Sequence, residues 1–138
     1  RNYLKIKGAE QLKEVTMPVT IIMGDCNYLK RVNDAYGHEY GDLLLKRVGR
    51  VILQNLPPES VALRMGGDEF LIACSHFSAE EAEQLIERLH GELARQSDDR
   101  LKLDVAFGYH TVTEGPFDYI AVYHAADRDM YRNKRKNR

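Results

Sequence analysis

The feature that most restricts how this chain can fold is Gly66-Gly67, set between two strand-like runs, Ser60 to Met65 and Glu69 to Cys74. Two-residue turns that join neighbouring strands require positive φ, which glycine adopts without steric penalty, so the tract predicts a tight antiparallel hairpin. With Gly66 and Gly67 as the turn, Met65 faces Asp68 and Arg64 faces Glu69. The two acids then stand at the hairpin tip on opposite sheet faces.

The remaining elements follow from hydrophobic periodicity. Val19-Thr20-Ile21-Ile22-Met23 is short, β-branched and nearly all apolar, which predicts a strand buried on both faces that delivers Asp25 to its exit. A polar turn is expected around Tyr36-Gly37-His38, with His38 a turn or packing residue. Leu44, Leu45, Val48, Val51 and Ile52 then recur at helical spacing, ending before Pro57-Pro58. Ser78 and Glu81 form a capping-box pattern that opens a helix with the stripe Ala82, Leu85, Ile86, Leu89 and Leu93. Leu101, Leu103, Val105, Phe107 and Tyr109 alternate with more polar or smaller residues, predicting a half-buried strand. A last helix from about Asp118 is expected to carry Ile120, Tyr123, Ala126 and Met130 inward and to end in cations. With a helix ahead of the first strand, the order gives a βαββαβ core: an α+β, ferredoxin-like fold with an antiparallel-containing sheet and helices packed on it.

The 138 residues suit one domain, and 20 basic against 21 acidic residues leave a net charge of −1, which argues against a nucleic-acid or membrane coat. No apolar run approaches the roughly 20 residues that span a bilayer, and the first residues lack a secretory pattern. Cys26 and Cys74 lie in apolar strands without metal-type spacing, as reduced core thiols of a cytosolic protein do. Both ends begin or stop abruptly, so the expectation is a segment of a longer protein.

Asp25 and the Asp68-Glu69 pair should meet at one end of the sheet. Clustered carboxylate oxygens at a strand end suit Mg²⁺, which completes its shell with water and substrate phosphates. Taken singly, Asp25 is better explained as a cap of the next helix, and Asp68 and Glu69 as turn acids in solvent.

Several motifs occur together in one order: Gly24-Asp25-Cys26-Asn27-Tyr28-Leu29-Lys30, then Val32-Asn33-Asp34 with Gly37-His38 through Gly41-Asp42, then the hairpin, then Ala126-Asp127 through Tyr131 and Lys134 to Arg138. In that register the chain resembles the GGDEF domains of diguanylate cyclases, a palm-type nucleotide cyclase fold, along nearly its whole length. The resemblance implies that two GTP condense to cyclic di-GMP and two pyrophosphates, with Mg²⁺ as cofactor and Mn²⁺ able to substitute. It assigns metal ligation to Asp25, the backbone carbonyl of Cys26, Asp68 and Glu69, with Glu69 and Asp68 as the catalytic acids. Asn33 and Asp42 would read guanine, whose N–H donors suit a carboxylate while its carbonyl accepts from an amide. Lys30, Lys134 and Arg138, with backbone N–H groups at Tyr28 and Leu29, would hold the triphosphate, and Gly66 and Gly67 would let phosphates approach the hairpin. The family likeness also implies a homodimer for catalysis, attached sensory or regulatory domains, a cytoplasmic site of action, and any membrane anchor outside this segment.

Three departures stand out. Asn27 replaces a second acid that many members carry, Pro57 and Ser60 stand where an inhibitory Arg-x-x-Asp motif is expected, and a Leu-Thr-Gly-Leu segment ahead of Asn2-Tyr3-Leu4 is missing, as truncation would explain. The alternatives are a GTP-binding regulatory module of the same fold without catalysis, and a palm-type cyclase forming a monomeric cyclic nucleotide.

Overall fold

The computed structural model describes residues 16–136; the helix expected ahead of the first strand, and Arg138, lie outside them. Eight elements follow in order: β1 (Val19–Cys26), α1 (Leu29–Tyr36), α2 (His38–Gln54), β2 (Ser60–Gly66), β3 (Glu69–Cys74), α3 (Ala79–Arg95), β4 (Val105–Val112) and α4 (Tyr119–Lys136). The strands form one sheet in the order β2-β3-β1-β4, with every neighbouring pair antiparallel. This is the expected α+β, βαββαβ arrangement.

All eight residues of β1 are buried because the sheet is covered on both faces. Ile22, Ile72 and Phe107 face a core built with Leu44, Val48, Leu85 and Leu89 of α2 and α3. Ile21, Met23 and Leu71 face α4 through Val122, Tyr123, Ala126 and Met130. Helix α4 lies tightly on β4 at Gly108, where an added Cβ would sit 1.9 Å from the Met130 nitrogen. Only glycine permits that approach. Helix α3 begins with the expected capping box: Glu81 N–H donates to Ser78 Oγ at 3.1 Å, and Ser78 N–H to Glu81 Oε1 at 3.0 Å.

Four local expectations are corrected. The turn of the hairpin is Gly67-Asp68, not Gly66-Gly67, because Gly66 pairs with Glu69 and Arg64 with Phe70, so a bulge absorbs Met65. The gain is burial of the Met65 side chain, 1% exposed, in the α4-side core. The Tyr36 to His38 region is a break between two helices, since α1 is already formed from Leu29 and Gly37 separates it from α2 at φ 95°. Strand β4 starts at Val105, and Val105 to Gly108 are buried on both faces rather than alternately. Along α4, Ile120 is 53% exposed, and Tyr119 and Val122 point inward in its place.

Candidate active site

The end of β1 sits between the hairpin tip and the approach to β4. Cys26 N–H donates to the Asp68 carbonyl and Asn27 N–H to the Asp104 carbonyl, each at 2.8 Å. Tyr28, at φ 67°, then turns the chain out of the sheet and into α1. Because successive side chains of a strand alternate, Asp25 follows Ile21 and Met23 on the α4 face, while the Cys26 side chain goes to the opposite core. Cys26 therefore has only its backbone to offer a ligand here.

Asp25 is 9% exposed and forms an ion pair with Lys134, Oδ2 to Nζ 2.5 Å. Its other oxygen, Oδ1, is buried with no hydrogen-bond partner among the described residues. Glu69 lies directly across from Asp25 in the β1–β3 register. The pKa of Asp68 is raised, first by burial and next by the charge of Asp25. A carboxyl–carboxyl hydrogen bond to Asp25, which only a protonated acid can make, adds to the rise; the Asp68 backbone N–H and Lys134 oppose it. With both acids ionised that bond is gone and Asp25 Oδ1 is orphaned. A buried acceptor without a donor costs about 1–3 kcal/mol, so the pair is set up to accept a cation. Burial, with Asp68 and Asp25 adding, also pushes the Cys26 thiol up to about 12.

Above these acids lies a cavity of about 480 Å³ whose wall includes Cys26, Asn27, Tyr28, Leu29, Lys30, Arg31, Asp68, Asp104 and Lys134. Tyr28 gives α1 no side-chain cap, so the first-turn N–H groups of the helix keep the electropositive character of a helix start. The result is a polar hollow lined by the Asp68 and Asp104 carboxylates and by Lys30, Arg31 and Lys134, with Asp25 joined to it through Lys134. A neighbouring cavity of about 690 Å³ shares Tyr28, Arg31 and Asp104 but touches neither Asp68 nor Lys134.

The sequence-derived residues fall into three groups. Asp25, Cys26, Tyr28, Leu29, Lys30, Asp68 and Lys134 come together around this hollow. Gly66 and Gly67, at φ 129° and 54°, form the exposed tip beside it, with open space where a Cβ would stand. Asn33 and Asp42 lie apart, between α1 and α2: Asn33 packs on Gly41, its Oδ1 is buried without a partner among the described residues, and the adjacent Asp42 is exposed. Sequence reasoning missed Arg64, whose Nε and Nη2 donate to the Gly67 carbonyl at 3.1 and 2.7 Å and clamp the turn. It also missed Asp104, for which no local motif gives a signal.

Comparison with known proteins places this arrangement. The family model described as diguanylate cyclase, GGDEF domain, matches residues 1–138. The chain is 27% identical over 143 residues to a probable diguanylate cyclase of Escherichia coli K12, DgcT, covering 99% of this chain and 31% of that protein. A solved microbial GGDEF domain interacting with bis-(3′,5′)-cyclic di-GMP matches at 31% identity and TM-score 0.75, over 96% of this chain and 81% of that one. The GGDEF domain of DgcB from Caulobacter crescentus, solved with c-di-GMP, shares the fold at TM-score 0.80 and 24% identity, over 96% and 80% of the two chains. The chain belongs to the GGDEF domain family of diguanylate cyclases. It spans about a third or less of the length of the curated relatives it matches. No helix among the described residues is long and apolar enough to cross a membrane.

Proposed function

We propose that this domain is a diguanylate cyclase half-site that binds one GTP with Mg²⁺ and, facing a second copy, forms cyclic di-GMP and pyrophosphate. The observation that carries the reading is the pair of frustrated acids, Asp25 with its orphaned Oδ1 and Asp68 with its raised pKa, beneath a cation-rimmed cavity. Among the described residues no three His, Cys, Asp or Glu side chains already form a metal cluster. The donor set nevertheless fits a hard cation. Asp25, Asp68 and the Cys26 carbonyl would hold it, with Glu69 as a further ligand or acid, and substrate phosphates and water would complete the shell. When bound, Mg²⁺ supplies charge for the attacking and departing oxygens of an in-line displacement.

The rest of the chemistry belongs to the chain. Lys30, Lys134 and the backbone N–H groups of Tyr28 and Leu29 at the start of α1 hold and orient the triphosphate, which aligns its α-phosphate for a 3′-hydroxyl from the facing copy. Lys134 is paired with Asp25 in the free domain, so binding exchanges a carboxylate partner for phosphate. Asn33 and Asp42 read guanine, and adenine cannot donate to the same carboxylate. No covalent enzyme intermediate is needed, and two copies are required because one site presents one nucleotide.

The test uses full-length protein with Mg²⁺ and GTP, product chromatography, and parallel measurement of GTP binding for wild type and Glu69→Ala. Wild type should form cyclic di-GMP, and the variant should bind GTP while losing product. Absence of product from wild type across a wide protein concentration range would sink the catalytic reading; equal turnover by the variant would remove Glu69 from it.

A further inference from the structure

The wall of the acid-floored cavity contains a carboxylate that the proposed chemistry has not used. Asp104 stands one residue before β4, and Asn27 Nδ2 donates to its Oδ2 at 2.9 Å while the two backbones are joined by the Asn27 N–H to Asp104 carbonyl bond. It shares the cavity with Asp68 and Lys134. Asp25 is neutralised by Lys134, but Asp104 has no salt bridge among the described residues and is held by a neutral amide alone. Its side chain is exposed, its carboxylate is oriented by the Asn27 amide, its charge also acts on His90, and it borders the same cavity as Asp68.

We infer that Asp104 is a positioning residue for the divalent cation: it holds the hydrated side of the metal from the wall opposite the hairpin, and Asn27 orients it. The inference rests on the metal-nucleotide reading above and adds a residue to it. Magnesium keeps several of its waters in protein sites, and a rigid carboxylate across the hollow can accept hydrogen bonds from them without direct ligation. The plainer role, an Asn–Asp brace between the β1 exit and β4, predicts no metal dependence.

Calorimetric GTP titrations of the full-length protein at a series of Mg²⁺ concentrations separate the two. A carboxylate oxygen that accepts from a metal-bound water lies within roughly 5 Å of the ion, and a unit charge there, in a water-like dielectric, changes the binding of a divalent ion about 20-fold. Asp104→Asn should therefore raise the Mg²⁺ concentration at half-effect about 20-fold while GTP affinity at saturating Mg²⁺ stays the same. The exchange Asn27→Asp with Asp104→Asn keeps an amide–carboxylate pair and the net charge, and should bring the midpoint back to within about twofold of wild type. A wild-type midpoint for Asp104→Asn, or failure of the exchange to restore it, overturns the assignment and leaves the GTP site standing. Absence of Mg²⁺-dependent GTP binding in wild type overturns both.

Discussion

Gly41→Ala separates the guanine reading proposed for Asn33 from folding. Gly41 lies in α2, where alanine is the better helix former by up to about 1 kcal/mol. Against that gain, the new Cβ would stand 1.8 Å from Asn33 Oδ1, 2.8 Å from its Cγ and 3.2 Å from Leu29 Cδ1. Real Cβ atoms do not approach that closely, so the Asn33 amide must swing away. Overpacking of this kind costs about 1–3 kcal/mol, but a terminal amide whose Oδ1 has no partner among the described residues gives up no bond there by moving. The two effects nearly offset, and we expect a stability loss of at most about 2 kcal/mol. Nucleotide binding has no such offset. If Asn33 supplies a donor to guanine, losing that contact costs about 1–3 kcal/mol, or roughly five- to 150-fold in GTP affinity. The matched control is Gly49→Ala, on the same helix, whose Cβ would meet only Phe70 Cε1 at an ordinary 3.7 Å. Urea unfolding and GTP calorimetry on both variants give the answer. Gly49→Ala should be neutral or stabilised with unchanged GTP affinity, whereas Gly41→Ala should bind GTP weakly while remaining folded. GTP affinity and guanine-over-adenine preference at wild-type levels in Gly41→Ala would refute the role given to Asn33.

Three further outcomes follow from single groups. Asp68 has a folded pKa above its unfolded value, so the folded state binds the extra proton and the contribution to stability is full only below the unfolded pKa and lost as pH rises through the raised one. Asp68→Asn should therefore raise the melting temperature of metal-free protein at pH 7, by roughly 2–5 °C for a gain of about 1 kcal/mol; a melting temperature below wild type in EDTA would contradict the frustrated pair. Ser78→Ala removes the α3 cap and should cost about 1 kcal/mol in urea unfolding, and a change under 0.3 kcal/mol (roughly the noise of surface substitutions) would show the box to be idle. The Cys26 and Cys74 thiols are each pushed up to about 12, chiefly by burial, so neither should react with a thiolate-directed reagent at pH 8 until denaturant is added. Rapid labelling of native protein would contradict that burial.

The legible parts of the molecule were those in which one local rule decided the outcome. Leu44, Leu45, Val48, Val51 and Ile52 could be assigned to a buried helix face because their spacing has no other economical reading, and the Ser78–Glu81 cap is a contact within four residues. The hairpin was visible from its glycines, but its register was not, since burial of Met65 in the α4-side core is a tertiary gain that favours the bulge over the simpler turn. Helix α1 escaped notice because only Val32 of its eight residues is buried and no side chain caps it; eight residues are too few to hold a helix without the packing of α2. Of the stripe expected along α4, Tyr123, Ala126 and Met130 are buried, and only Ile120 misled, because at the helix start the inward positions are Tyr119 and Val122. In the site, Asp25 and Asp68 were legible as strand-end acids. Asp104 was not, because its partner Asn27 is 77 residues away and the contact exists only once β4 lies beside β1.

The polar site is continuous with the hydrophobic pattern that builds the fold. On β1 the α4-facing positions run Ile21, Met23, Asp25, and on α4 the inward positions run Ala126, Met130, Lys134 at four-residue steps. Both stripes are apolar until they reach the same end of the sandwich, and there both become charged. The close approach at Gly108 fixes how far α4 sits along the sheet, and so fixes where Lys134 meets Asp25. A one-residue slip of β1 would exchange its faces, turning Asp25 into the core beneath α2 and α3 and leaving Lys134 without its partner. A charge buried alone costs several kcal/mol, comparable to the whole stability of a domain this size. The acid proposed to hold the cation therefore also enforces the register that presents it, and replacing Asp25 by an apolar residue should weaken that enforcement together with the proposed metal binding.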